Sequence, residues 1–343
     1  MAGTRIGFVG RFLFRATAGA LIAFSFPLAV SAQERPAADD RIVVTLLGTG
    51  GPEPTLKRFG PATLVQAGGR NLLFDAGRGV TVRLYQLGIS SGKGIDAVFL
   101  THYHSDHVAG LPDLWLTGHI FGPFGSRTVP LQLWGPSTGE SDAGGVTRIA
   151  KGLGETFSDD VNTRRVDEHI APAATRIEAH PFKPEGGVVF EEAGVKVTAF
   201  AVNHGELIKP SVGYRIDYKS RSVTISGDTK FDENLIRVAA GTDLLVHEVF
   251  AMSEKLAKLP PLKPIAEHHT SPEEAGEVFS RVKPKLAAYS HVILLETSVD
   301  ELLSRTRSKY AGPTEAGEDL MRFEIGDRVI VKRWNEALRA YPP

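Results

Sequence analysis

The stretch Leu100-Thr101-His102-Tyr103-His104-Ser105-Asp106-His107 decides how the rest of the chain is read. It follows the apolar run 97–100 (AVFL), which predicts a short buried strand. In a turn from strand to helix, His102 and His104 project to one side while Asp106 and His107 open the next helical turn, so four ligand-type side chains converge. Neutral imidazoles and carboxylates suit zinc. Two metal ions roughly 4 Å apart need more than four ligands, including a bridging carboxylate and histidines from other strands.

Working outward, further candidates lie just past β-rich runs. His204 follows 195–202 (VKVTAFAV) and precedes Val212-Gly213-Tyr214-Arg215; His180 also follows a strand-like stretch and competes with it. Spacing to the GYRI segment favours His204. Asp228 stands in Ile225-Ser226-Gly227-Asp228-Thr229, and His291 ends the run 286–290. Ligands at the ends of neighbouring strands meet on one rim.

Composition limits the chemistry. The 343 residues include 11 histidines and no cysteine, which excludes disulfide scaffolds, zinc ribbons, thiolate-bound clusters and a cysteine nucleophile. Residues 1–32 carry Arg5, Arg11 and Arg15, no acid, an apolar run at 16–30 and Val30-Ser31-Ala32 before Gln33, and read as a signal peptide. Residues 33–40 read as a flexible leader and 41–343 as a single hydrolase domain. Removing 32 residues lowers the basic count from 39 to 36 against 40 acidic residues, a net charge of −4. That balance gives no global electrostatic reason to bind nucleic acid. The expected location is periplasmic or secreted, with no stable membrane insertion after cleavage.

Strand-like and helix-like stretches alternate from residue 41. Strands are expected at 41–47, 63–67, 71–75, 97–100, 131–134, 195–202, 213–218, 222–226, 244–247, 286–290 and 328–332, and helices at 81–87, 111–121, 232–239, 272–282 and 299–309. This order predicts an α/β fold of two mixed sheets packed together with helices outside. The stretch 122–185 is short of periodic signal and reads as loops overhanging one end; Trp115, Phe121, Phe124 and Trp134 in or near it read as core packing or as an apolar wall for a leaving group. Lys57 and Arg58 read as a solvated loop pair or as contacts for an anionic substrate.

HxHxDH, a distant histidine, an SGDT aspartate and a last histidine after a strand resemble the metallo-β-lactamase superfamily over essentially all of the mature chain. The VTLLGTGGPEP opening, Leu73-Phe74-Asp75-Ala76-Gly77, Leu245-Val246-His247-Glu248 and His268-His269-Thr270-Ser271 further resemble its ribonuclease Z and arylsulfatase-like branch. The resemblance implies an αββα sandwich with a dinuclear site at one edge. Carried over by position, the first metal takes His102, His104 and His204, the second takes Asp106, His107 and His291, and Asp228 bridges them. A hydroxide between the metals would be the nucleophile. His269 would be the proton donor, with adjacent His268 as the competing choice; Glu248 would orient it or be structural. Asp106 counts with the catalytic residues as well as the ligands, His247 reads as a packed neighbour, and Asp75 would support a ligand histidine. The cofactors implied are two Zn²⁺, with Mn²⁺ or Fe also suited to five histidines and two aspartates.

Departures from the pattern narrow the expectation. Members that process transfer RNA carry a long arm between GYRI and SGDT, whereas here only 217–225 separate them. The expected function is therefore an exported dizinc hydrolase of phosphodiesters or aryl sulfate esters. A lactonase or weak β-lactamase-type hydrolase is the alternative, and a non-catalytic periplasmic metal- or ligand-binding protein is the alternative of another class. The expected partners are a small-molecule ester substrate and, as a homodimer, a second copy; nucleic acid is not expected.

Overall fold

In the computed structural model, which describes residues 40–139 and 143–342, alternate side chains of each apolar strand take opposite faces of a sheet, and that alternation builds the layers. The expected signal peptide 1–32 lies outside the described residues, as does the leader up to residue 39. The chain opens with β1 (Ile42–Gly48), β2 (Ala62–Ala67), β3 (Arg70–Phe74), α1 (Val80–Gln86), β4 (Ala97–Phe99), α2 (Ser105–Val108) and α3 (Leu111–His119). There follow β5 (Leu131–Pro136), α4 (Val146–Thr156), α5 (Ser158–Asp167), β6 (Ile177–Phe182), β7 (Gly186–Glu192), β8 (Val195–Ala201), β9 (Val212–Tyr218) and β10 (Arg221–Ile225). The last part holds α6 (Glu233–Ala239), β11 (Leu244–Met252), α7 (Glu254–Ala257), α8 (Lys263–Ala266), α9 (Pro272–Val282), β12 (Leu286–Leu295), α10 (Val299–Arg307), β13 (Thr314–Ala316), β14 (Arg322–Ile325) and β15 (Val329–Lys332).

One sheet runs β15-β14-β1-β2-β3-β4-β5-β6 and the other β13-β12-β11-β10-β9-β8-β7, each mixing parallel and antiparallel pairs. Between them pack Val44, Leu46, Phe74, Phe99, Tyr214, Ile216 and Val246. Leu64, Leu73, Leu84, Leu114 and Trp115 fill the space between the first sheet and its helices; Leu235, Leu245, Phe279, Tyr289 and Leu302 do so for the second. The result is the expected αββα sandwich, each buried large side chain contributing about 1.5–3 kcal/mol of hydrophobic stabilisation. Among the described residues no helix is long and apolar enough to cross a membrane.

The helix read at 272–282 forms over those residues because its start is chemically specified. Ser271 accepts from the Glu274 amide at 3.3 Å, the Glu274 carboxylate accepts from the Ser271 amide at 2.9 Å, and Pro272 occupies the first turn. Elsewhere the structure corrects the reading. Besides the expected strand at 131–134, which is β5, the stretch read as loops at 122–185 contains α4, α5 and β6. In α5 (SDDVNTRRVD) only Val161 is buried, so no apolar period marks it. Four strands, β6, β7, β13 and β14, had no predicted counterpart; β13 is only three residues long, and β7 is mostly exposed.

The most consequential local feature lies in the parallel pair β11·β12. His247 faces Tyr289 and Val249 faces Val292, so Glu248 alone stands opposite Ser290 and His291. The inserted residue reverses the side-chain phase of β12: Ala287 and Tyr289 face the helix layer before it, and Val292 faces that layer after it. His291 takes φ 45° at this bulge.

Candidate metal centre

The predicted ligands come from loops that follow strands, from the short helix α2, which carries Asp106 and His107, and from that bulge; the second sheet's contribution is tied to the first through Gly227. Its φ is 61°, and a Cβ there would lie 3.2 Å from the Thr101 Cβ, so only glycine lets the Asp228 turn lie against the HxHxDH loop. His102, His104, His204 and Asp228 form one group whose donor atoms lie within 4.8 Å of one another; Asp106, His107 and His291 form a second. Asp228 sits between them. Its Oδ2 lies 3.3 Å from His107 Nε2, 3.3 Å from His291 Nε2, 3.7 Å from His204 Nε2 and 3.9 Å from His102 Nε2.

The other nitrogen of three imidazoles is already engaged. His107 Nδ1 is 2.8 Å from Asp75 Oδ2, His102 Nδ1 is 3.0 Å from Thr101 Oγ1, and His204 Nδ1 donates to the His268 carbonyl at 2.8 Å. Asp75, at φ 58°, also accepts from the Thr101 amide at 2.8 Å and from its hydroxyl at 2.9 Å, so one carboxylate fixes both the loop and His107. This leaves His102 Nε2, His107 Nε2 and Asp228 Oδ1 buried with no hydrogen-bond partner. Orphaned buried polar atoms are rare in folded proteins, and three on residues of the two donor groups fit bound cations.

The protonation pattern points the same way. Burial drives His102 well below the ordinary imidazole value and His204 down to about 4, leaving neutral rings with a lone pair to offer. Burial alone would raise the Asp228 carboxyl, but His291 and His107 outweigh it and hold it well below the carboxylate range. Burial likewise opposes a charge on His107, yet Asp228 and Asp75 hold it well above its ordinary value. A cation among these carboxylates would displace that proton.

His269 stands apart from the ligand groups but beside them. Its Nδ1 lies 3.2 Å from Glu248 Oε1, its ring stacks 5.5 Å from that of His291, and it can share a donor cluster with Asp228 and His291. Burial lowers it, but Glu248 raises it to about 9. Glu248 Oε1 also accepts from the Thr270 amide at 3.0 Å, which holds the carboxylate in place. His268 contributes its carbonyl rather than its ring. His247 is fully buried against Phe279, 5.7 Å between rings.

The remaining candidates lie elsewhere. His180 stacks on Trp134 at 4.1 Å and bonds Gln132 at 2.7 Å, away from the cluster. Trp115 is core, Trp134 stacks on Phe99, Phe124 packs on Tyr85, and Phe121 is exposed, so none of these aromatics walls the site. Arg58 donates to Thr49 Oγ1 and the Gly317 carbonyl and so braces the loop against the segment at Gly317. The pocket beside the cluster, a cavity of about 280 Å³, is lined instead by His102, Tyr103, His104, Arg148, Ile149 and the segment 207–210. Thr101, the His268 carbonyl and this pocket were missed by sequence reasoning; only Thr101, beside His102, had a local signal.

The family model described as the β-lactamase superfamily domain matches residues 70–292. The ribonuclease Z of Mycobacterium sp. (strain KMS) is 35% identical over 296 residues, covering 85% of this chain and 99% of that protein. The ribonuclease Z of Mycobacterium marinum is 32% identical, covering 84% of this chain and 100% of that protein. Among solved structures, the metallo-β-lactamase-fold protein YhfI of Bacillus subtilis aligns with TM-score 0.63 at 20% identity over 83% of this chain and all of its own. The short form of human tRNase Z aligns with TM-score 0.58 at 21% identity over 82% and 98%; at these identities both show the fold.

These relatives correct two expectations. Full-length similarity to proteins named ribonuclease Z overturns the exported small-molecule ester hydrolase and, with it, the expectation that nucleic acid is no partner. The arm is indeed missing, since only Lys219 and Ser220 join β9 to β10. Total charge and one absent segment do not decide the partner, because phosphate is met by the local field around a site.

Proposed function

This chain belongs to the metallo-β-lactamase-fold superfamily, in its ribonuclease Z branch, and is a metal-dependent hydrolase; on that premise we propose that it cleaves phosphodiester bonds of RNA at a dinuclear centre. The observation that carries the reading is the pair of adjacent donor groups with Asp228 between them, in a chain whose relatives are ribonucleases along their whole length. His102, His104 and His204 would hold one ion and Asp106, His107 and His291 the other, with zinc favoured by the imidazole-rich set. Bound there, two such ions supply Lewis-acid polarisation of phosphoryl oxygens and lower the pKa of water in the site.

The chain's own residues do the rest. Thr101 and Asp75 hold His102 and His107 with Nε2 inward, and the His268 carbonyl does this for His204. His269, kept protonated at neutral pH by Glu248, is placed to give its proton to the departing ribose oxygen. Glu248 orients that imidazole and stabilises its charge. The test is incubation of 5′-labelled RNA with protein reconstituted with zinc or manganese, with metal content measured. Cleavage that EDTA abolishes and metal restores supports the reading; two ions per chain and no cleavage of any RNA offered would end it.

A further inference from the structure

We propose that the cavity beside His102 and His104 seats one nucleotide of the RNA, with Arg148 and Lys209 binding its flanking phosphates; this rests on the ribonuclease reading above. The cavity, about 280 Å³, is at the small end of ligand pockets, which begin near ~300 Å³, and suits one nucleotide better than a folded stem. Its two walls come from different elements. Arg148 and Ile149 project from the first turn of α4, while Leu207, Ile208 and Lys209 belong to the segment that follows His204.

Three properties of this lining suit a nucleotide. Tyr103, Ile149, Leu207 and Ile208 give apolar surface, and Leu207 is 97% exposed, a large desolvation gain for whatever covers it. Arg148 is exposed and has no ion-pair partner among the described residues, so its charge is available. Among the described residues Lys209 pairs with Glu206 at 2.9 Å, a solvent-screened contact that a phosphate can displace at little cost. Apolar platforms flanked by cations are how proteins hold single-stranded nucleic acid, where every base offers a face and every link a charge.

The position also gives a direction. His102 and His104 line the cavity, whereas His269 does not. If His269 protonates the departing oxygen, the nucleotide in the cavity belongs to the fragment that keeps the phosphate. The two cations supply a grip on the RNA in a chain that joins β9 to β10 by a tight turn.

The experiment compares zinc-loaded wild type, the R148A/K209A double variant and L207A in two reactions: cleavage of a defined RNA from 50 to 200 mM KCl, and hydrolysis of bis(4-nitrophenyl) phosphate. Two lost phosphate contacts on single-stranded RNA reduce the slope of log KM against log [KCl] by ~1.4 and raise KM about tenfold at 0.15 M salt. Expected are that outcome, an RNA kcat within about twofold of wild type, a several-fold rise of KM for L207A without the change in salt slope, and unchanged turnover of the small diester. Unchanged RNA KM and slope would overturn the nucleotide seat while leaving the ribonuclease reading intact. Parallel loss in both reactions would overturn it too, by placing the effect on the metal centre. A wild type that cleaves no RNA removes the ribonuclease reading and this seat together.

Discussion

Asp75→Asn isolates one atom of the centre. Asp75 Oδ2 serves His107 Nδ1 at 2.8 Å and the Thr101 hydroxyl at 2.9 Å, while Oδ1 takes the Thr101 amide at 2.8 Å. Asparagine tolerates the left-handed backbone at φ 58° and can keep its carbonyl on the Thr101 amide, so the turn should survive. Its NH₂ then replaces Oδ2 and faces the His107 Nδ1 proton. The imidazole must give up that hydrogen bond or move its proton to Nε2, the atom that faces Asp228 and would ligate the proposed ion. A hydrogen bond to a charged group is worth about 1.5–3 kcal/mol. Loss of a carboxylate that supports a ligand histidine costs metal affinity roughly 10–100-fold, or about 1.4–2.7 kcal/mol, and the two estimates agree. Zinc competition titration against a chromophoric chelator should show one of two sites weakened by that factor, with the far-ultraviolet circular dichroism unchanged. Two sites of wild-type affinity would refute the role of Asp75, and loss of both sites would show that the loop, not His107, depends on it.

Other expectations follow from single observations. His269→Gln should lower kcat for RNA by 10²–10⁴ while metal content stays at the wild-type value, checked by atomic absorption on the assayed sample. Phe279→Ala, at a fully buried position between α9 and the second sheet, should cost 3–5 kcal/mol in urea unfolding of the metal-loaded protein. Glu273 is held below the usual carboxylate value by Arg305, which donates to it at 2.7 and 2.9 Å. A carboxylate depressed in the folded state stabilises above its unfolded pKa and loses that contribution as pH falls through the folded value. Arg305→Gln should therefore destabilise by about 0.5–1 kcal/mol at pH 7, since the pair is partly solvent-screened, and by less as pH drops below about 4. A gap that stayed constant down to pH 3 would refute the ion-pair account.

The HxHxDH loop was legible because its ligands are contiguous and follow an apolar strand, so local geometry alone brings them together. His204 and Asp228 were legible by position after β8 and β10, and the structure separates His204 from His180 by placing the latter in the Trp134 stack. His291 was read at the end of a strand that in fact runs five residues from Leu286 to the bulge and on to Leu295, because a bulge in a parallel pair depends on its neighbour's register. Helix α5 escaped notice because a helix with one buried residue carries no apolar period. The partner was misjudged for a different reason. Net charge sums over the whole surface, whereas Arg148 and Lys209 matter through where α4 and the segment after His204 place them, which composition does not record.

The bulge between β11 and β12 also constrains how this chain can change. A one-residue deletion between Ala288 and Val292 would restore unbroken pairing with β11 and leave Val292 on the helix layer, but it would abolish the bulge that sets the His291 imidazole against Asp106 and Asp228. The candidate site would lose a donor in one genetic event while the outer helical layer kept its fit. Length variation at this point is therefore closed to the chain, and divergence there can proceed only by exchange of one side chain for another at fixed spacing.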